Sequence, residues 1–141
     1  MTHAYPTITS DHAEFYAENG YLVVENALSP TEIEELRAET TAICRGERGI
    51  NIENYAPPAQ NATDDEVLKQ YLCIHFPHKL SATMEDYLAH PTIVNVSKAV
   101  IGPNVKCMQS MLFIKAAGKP GQAWHQDEEF IPTRDRSLMG G

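Results

Sequence analysis

The periodicity of the apolar residues changes once along this chain, at Gly102 and Pro103. Before that point, apolar residues recur at the three- and four-residue spacing of amphipathic helices, and capping patterns separate the segments. After it, residues 105–114 alternate between two sides with a period of two, as a β-strand does. Helices followed by strands predict an α+β fold.

Helix-capping residues give the predicted helices their starting points. Ser29 can cap a helix that begins at Pro30, and Glu32 completes a capping box. Thr63 and Glu66 repeat that pattern for another helix. The first predicted helix is capped by Ser10 or Asp11 and stops at Gly20, and two more run over residues 81–89 and 91–101.

Three further segments complete the predicted architecture. Residues 21–24 read as a brief edge strand, and residues 45–62 break both periodicities, which is typical of a functional loop or lid. After the strand at 105–114, which we expect to be buried on both sides, a turn-rich connector leads to a second strand at 122–127. We therefore expect a single domain over residues 1–141, with a mainly helical layer at 1–103 and the start of a sheet at 104–141.

Composition and charge exclude several classes of partner. The 141 residues contain 11 Lys and Arg against 19 Asp and Glu, a net charge of −8 that repels phosphate backbones, so nucleic acid is an unsuitable partner. No apolar run approaches the roughly 20 residues of a membrane span, and no export signal is visible. The three cysteines form no C-x-x-C pair, which favours reduced thiols. We expect a cytoplasmic protein without a membrane partner.

The triplet His125-Gln126-Asp127 is the strongest chemical signal in the sequence. On a strand, residues i and i+2 project from the same face, so His125 and Asp127 would lie side by side while Trp124 packs against the helices. An imidazole and a carboxylate so placed supply two ligands of a 2-His-1-carboxylate iron site. On the spacing alone, two surface groups on an edge strand are the commoner case. His12-Ala13-Glu14 fits the same string but lies in a predicted helix, where i and i+2 diverge.

Several separated motifs resemble the phytanoyl-CoA dioxygenase family of Fe(II)/2-oxoglutarate oxygenases. They are QSMLFIK at 109–115, a Gly/Pro-rich turn, WHQD at 124–127 and PTRDR at 132–136, preceded by FYAENGYLVV at 15–24 and GPN at 102–104. The resemblance spans nearly the whole chain. It implies that the strands open a double-stranded β-helix, or jelly roll, whose barrel is incomplete in this chain.

The resemblance also assigns roles to individual residues. It implies that His125 and Asp127 are the catalytic iron ligands, that Met111 lines the 2-oxoglutarate site, and that the backbone of Gln126 lies near the cofactor. His75 matches the position of a basic residue that contacts 2-oxoglutarate, with Lys79 as the alternative. Fe(II) would then be the cofactor, with 2-oxoglutarate and O₂ as cosubstrates and a small organic or acyl compound as substrate.

The family pattern continues beyond the last residue of this sequence. The second histidine ligand and the arginine that pairs with 2-oxoglutarate lie beyond the H-x-D strand in the family, so we expect an N-terminal fragment with little or no turnover alone. The carboxylate of Asp127 favours hydroxylation over halogenation, because halogenating relatives lack it. Two alternatives stay open: a non-catalytic binding or assembly module, and a metal-dependent hydrolase or isomerase on a cupin barrel.

Overall fold

A computed structural model describes residues 3–50, 55–125 and 127–131, which form helices and one small sheet. This arrangement confirms the α+β class, with most of the regular structure before Pro103 helical. Within the described ranges, the elements are α1 (Ser10–Asn19), α2 (Pro30–Cys44), α3 (Asp64–Leu68), β1 (Cys73–His75), a 3₁₀ turn (Pro77–Lys79), α4 (Ala82–Leu88), α5 (Pro91–Val100), β2 (Met111–Phe113) and a second 3₁₀ turn (Asp127–Glu129).

Helices α2 and α3 begin where their capping boxes predict, whereas α1 is capped by Thr9 and not by Ser10 or Asp11, because the Thr9 side chain and backbone both bond to His12. The backbone N–H of Glu32 donates to Ser29 Oγ, and the Glu32 carboxylate accepts the N–H of Ser29 at 2.7 Å. Thr63 and Glu66 form the same reciprocal pair before α3. Each pair satisfies two backbone donors that a helix N-terminus leaves unpaired. Helix α1 ends at Gly20, whose φ of 78° lies in the left-handed region that glycine adopts without strain.

The hydrophobic core lies between α2, α3, α4 and the sheet. Its fully buried side chains are Ile43 and Cys44 from the end of α2, Val67 from α3, and Ile74 from β1. Tyr71 closes one side of the core, and its buried hydroxyl donates to the carbonyl of Cys44 at 3.1 Å. The core therefore joins the helical layer directly to the strand that carries His75.

Strands β1 and β2 pair antiparallel and have two unlike faces. The register places Cys73 opposite Phe113, Ile74 opposite Leu112 and His75 opposite Met111. Ile74 points into the core and is 1% exposed, whereas Met111 is 37% exposed. Because successive side chains alternate between faces, His75 and Met111 lie on the face that does not cover the core.

The predicted strands differ from the structure in length and position. The strand expected at 105–114 is regular only over Met111–Phe113, and it is buried on one side, since Met111 and Phe113 stay exposed while Ile114 is buried. Its length is set by its partner, because β1 offers only three paired residues. Strand β1 itself has no counterpart among the predicted elements. The alternation of Met111 and Phe113 against Leu112 and Ile114 is confirmed.

Two other strand predictions are wrong. Within the described part of the chain, no strand pairs with residues 21–24 or with the described residues of 122–127. Their backbone N–H and C=O groups must therefore hydrogen-bond to water. Tyr21 and Val23 are accordingly 57% and 72% exposed. Trp124, expected against the helices, is fully exposed. His90, at the predicted boundary between two helices, caps α5 by accepting the N–H of Thr92.

The segment 45–62 is irregular in its described parts, as predicted, and its base is anchored to α2. Arg48 pairs with the buried carboxylate of Glu39 through two hydrogen bonds of 2.8 and 2.9 Å. The Tyr55 hydroxyl donates to the carbonyl of Arg45 at 3.0 Å, and the Tyr55 ring packs directly against Gly46. These contacts fix where the loop leaves and rejoins the helical layer.

Candidate metal centre

The structure brings His125 and Asp127 together, although not on a strand. His125 Nε2 and Asp127 Oδ1 are 3.4 Å apart, and both side chains are partly exposed. His125 lies in an irregular segment and Asp127 begins a 3₁₀ turn. Gln126, predicted to lie near the cofactor, falls outside the described residues. The side-by-side placement therefore arises from a turn instead of from strand geometry.

A local hydrogen bond fixes which nitrogen of His125 faces the carboxylate. His125 Nδ1 lies 2.7 Å from the carbonyl oxygen of Ala123. A carbonyl oxygen can only accept, so Nδ1 carries the hydrogen, and in a neutral imidazole the lone pair is on Nε2. The edge of the ring of Phe130 packs against the imidazole with a centroid distance of 5.1 Å. In the neutral tautomer, which is the form that binds metals, Nε2 therefore carries the lone pair on the side that faces Asp127.

This arrangement suits a bound cation. A protonated imidazole pairs with Asp127 directly, and when the imidazole is neutral a metal ion between the two atoms, which are 3.4 Å apart, satisfies both facing lone pairs at once. Two ligand atoms that each lie about 2.1 Å from a metal and subtend an angle of about 90° at it are about 3 Å from each other. The separation of His125 Nε2 and Asp127 Oδ1 is close to this distance. A histidine ligand whose other ring nitrogen donates to a backbone carbonyl is the usual arrangement at metal sites.

The described part of the chain supplies only two such donors at this position. Among the described residues, no group of three or more His, Cys, Asp or Glu side chains is arranged to hold a metal ion. His125 and Asp127 therefore fit two positions of a facial triad of two nitrogens and one carboxylate oxygen, and the third donor is not among the residues that surround them here.

The other predicted site residues lie on the exposed face of the sheet. His75 and Met111 are direct cross-strand partners, so the two side chains predicted to contact 2-oxoglutarate stand next to each other. Cys73 and Phe113 belong to the same face. Lys79, the alternative to His75, lies on the following 3₁₀ turn with its ammonium group 4.2 Å from the centroid of the Phe76 ring. The sheet thus pairs Met111 with His75.

A second cluster of ionisable groups, not singled out from the sequence, joins the N-terminal segment to the helices. The Tyr5 hydroxyl donates to Glu32 at 2.6 Å, and His90 Nε2 lies 3.1 Å from the same carboxylate. Hydrogen bonds from Tyr5 and from the backbone and hydroxyl of Ser29 lower the pKa of Glu32 to about 2. His90 stacks on Tyr87. The cluster therefore ties the N-terminal segment to α2 and to the residue that caps α5.

Together, these features define an α+β protein in which a histidine–carboxylate pair can hold part of a metal centre. The family model described as phytanoyl-CoA dioxygenase (PhyH) matches residues 16–141, and the chain belongs to that family. Within the described residues, the longest helices are too short and too polar to span a bilayer.

Curated relatives carry the names of several different dioxygenases. The chain is 30% identical to the peroxisomal phytanoyl-CoA dioxygenase of Rattus norvegicus over 94% of this chain and 40% of that protein. It is 26% identical to the ectoine dioxygenase of Nocardia farcinica, over 91% of this chain and 41% of that protein. It is also 26% identical to a probable alpha-ketoglutarate-dependent hypophosphite dioxygenase of Stutzerimonas stutzeri, over 89% of this chain and 44% of that protein.

The matches cover a much larger share of this chain than of its relatives. The match takes in nearly all of this chain but only about two-fifths of the length of the relatives. No solved structure matches the chain. The comparisons therefore show the family of the chain, and its activity and substrate are separate questions.

Proposed function

We propose that this chain supplies the first part of the active site of an Fe(II)/2-oxoglutarate-dependent dioxygenase that hydroxylates a small organic or acyl substrate. The observation that carries the proposal is the pair of His125 and Asp127, with Nε2 turned towards the carboxylate by the bond from Nδ1 to the carbonyl of Ala123. Membership of the phytanoyl-CoA dioxygenase family supports the same assignment.

Each residue has a distinct task in this proposal. His125 and Asp127 would hold the iron, and the carbonyl of Ala123 keeps the imidazole in the tautomer that can ligate. His75 and Met111 would line the cosubstrate site, His75 as a hydrogen-bonding partner for a carboxylate and Met111 as an apolar wall. Bound Fe(II), with 2-oxoglutarate and O₂, supplies the oxidising chemistry, and the protein contributes placement. The carboxylate of Asp127 at the metal favours hydroxylation over halogenation.

The rest of the active site is proposed to come from sequence beyond this chain. The described residues offer two metal donors, and the relatives are about two and a half times as long as the matched segment. A third ligand and a cation for the far carboxylate of 2-oxoglutarate would come from the remaining length. We therefore expect the 141-residue chain alone to turn over little or no 2-oxoglutarate.

Metal binding tests the site without relying on turnover. Anaerobic titration with Fe(II) is expected to show one weak site, and His125→Ala or Asp127→Ala is expected to weaken binding by at least the 10- to 100-fold typical of a disturbed metal shell. His12→Ala is the matched control, because His12 belongs to the other H-x-[DE] triplet and bonds to Thr9 at the start of α1. Unchanged Fe(II) affinity in both site variants, with the fold intact by circular dichroism, would remove the assignment.

Turnover separates the enzyme from its main alternative, a non-catalytic binding module with a two-ligand site. Succinate release from 2-oxoglutarate should depend on Fe(II) and O₂ in the complete gene product that contains this chain. A panel of acyl-CoA thioesters and small zwitterionic metabolites then identifies the substrate class by the rise in succinate release. A gene product that ends at Gly141 and releases no succinate favours the module.

A further inference from the structure

A short turn after β1 makes two hydrogen bonds to Ser110, the residue just before β2. The backbone N–H of Phe76 donates to the carbonyl of Ser110 at 2.9 Å. The side chain of His78, two residues later, forms a 2.6 Å hydrogen bond between Nδ1 and Ser110 Oγ. Ser110 immediately precedes Met111, the cross-strand partner of His75. The end of the sheet that carries both predicted cosubstrate residues is therefore tied at two points.

The backbone of Phe76 makes this double attachment possible. Phe76 has φ 55° and ψ 47°, in the left-handed region that an aromatic residue seldom adopts. This conformation reverses the chain so that Pro77 starts a 3₁₀ turn and His78 comes back to Ser110. A left-handed aromatic residue persists only where surrounding contacts hold it, and such residues concentrate at functional sites. Here the amide of Phe76 and the ring of His78 both hold the corner to β2.

Two side-chain contacts hold the corner at residues 76–79, and only the hydrogen bond of His78 reaches a distant part of the sequence. It joins residues 32 positions apart and is partly buried, so water competes with it less than at an exposed site. The other, the ammonium group of Lys79 over the Phe76 ring, stays within the corner. Without His78, the backbone bond from Phe76 would be the one remaining described hydrogen bond between the corner and Ser110.

We propose that His78 is a positioning residue that, through Ser110, fixes the end of β2 so that Met111 stands opposite His75. The inference rests on the proposed function, since it concerns the part of the active site assigned to 2-oxoglutarate. The described contacts of His78 are with Ser110 and with the ring of Phe76, and neither is a predicted metal ligand. Its loss should therefore change the affinity for the cosubstrate and leave Fe(II) binding at His125 and Asp127 unaltered.

Amide hydrogen exchange tests the attachment directly. In His78→Ala or Ser110→Ala, we expect the Phe76 amide to exchange about tenfold faster, as the loss of one partly buried hydrogen bond predicts, while the Ile114 amide at the other end of the ladder is unchanged. His78→Asn can place an amide group near the position of Nδ1 and should restore slow exchange. His3→Ala is the matched control, because it also removes one long-range histidine hydrogen bond, to Asn26, away from the sheet.

Kinetics of the complete gene product supply the second readout. The KM for 2-oxoglutarate should rise about fivefold to tenfold in His78→Ala with kcat within about twofold of the parent, and His78→Asn should recover most of the KM. Exchange at Phe76 no faster in His78→Ala than in His3→Ala would overturn the inference, as would a fall in kcat with an unchanged KM. A parent protein without any 2-oxoglutarate turnover defeats the proposed function instead, and the exchange measurement still decides whether His78 holds the corner.

Discussion

Replacing Ile74 with alanine should destabilise the protein more than the same change at the surface. Ile74 is 1% exposed and is the residue of β1 that enters the core. The substitution removes three carbon atoms, worth about 2.4 kcal/mol at about 0.8 kcal/mol for each buried methylene. The cavity left behind adds to this loss, so we expect the free energy of unfolding to fall by about 3–4 kcal/mol.

Ile93→Ala is the matched control for this experiment. Ile93 lies on α5 and is 50% exposed, so the same three carbons contribute about half as much, and the better helix propensity of alanine offsets part of the loss. Urea unfolding followed by far-UV circular dichroism, with an m value of about 2 kcal/mol/M, should lower the midpoint by about 2 M for Ile74→Ala and by under 0.5 M or so for Ile93→Ala. Equal shifts in the two variants would contradict the placement of Ile74 in the core.

Two further predictions concern the helical layer. Gly46→Ala should lower the melting temperature by clearly more than Gly20→Ala. Both glycines have positive φ, but only at Gly46 would the new methyl group collide with a side chain, that of Tyr55. Equal losses of melting temperature, measured by differential scanning calorimetry, would argue against that contact. The hydrogen bond from the Tyr5 hydroxyl is the main cause of the lowered pKa of Glu32, which is about 2 against an ordinary 4.5. The stability that ionised Glu32 contributes is therefore fully present above pH 4.5 and is lost as the pH falls towards 2. Glu32→Gln should therefore reduce the fall in urea midpoint over that pH range, and Glu34→Gln, an exposed control, should not.

The parts of the fold that local chemistry determines could be predicted from the sequence. Ser29 with Glu32, and Thr63 with Glu66, announce helix starts because each capping box is complete within four residues. Strand β1 has no comparable local signal. Its three residues become a strand because they pair with Met111–Phe113, nearly 40 positions further along the chain. A three-residue segment contains no local signal for such a distant partner.

The candidate site divides in the same way. Strand geometry predicts that His125 and Asp127 lie side by side, but the structure shows a turn there instead of a strand. The two side chains are still close, because they are only two residues apart in the observed turn. The hydrogen bond to Ala123 is equally local. The juxtaposition of His75 and Met111 depends on the register of β1 against β2, so the sequence could indicate these residues only through the family resemblance.

The pairing of β1 with β2 has a consequence for synthesis on the ribosome. His75 emerges from the ribosome 36 residues before its partner Met111, and at roughly 5–20 residues per second that interval lasts about 2–7 s. Throughout it, Ile74 can already pack on the nascent helices, but the backbone of β1 has no strand to receive its hydrogen bonds. A chaperone that recognises unpaired extended segments has its best opportunity on the emerging polypeptide during those seconds.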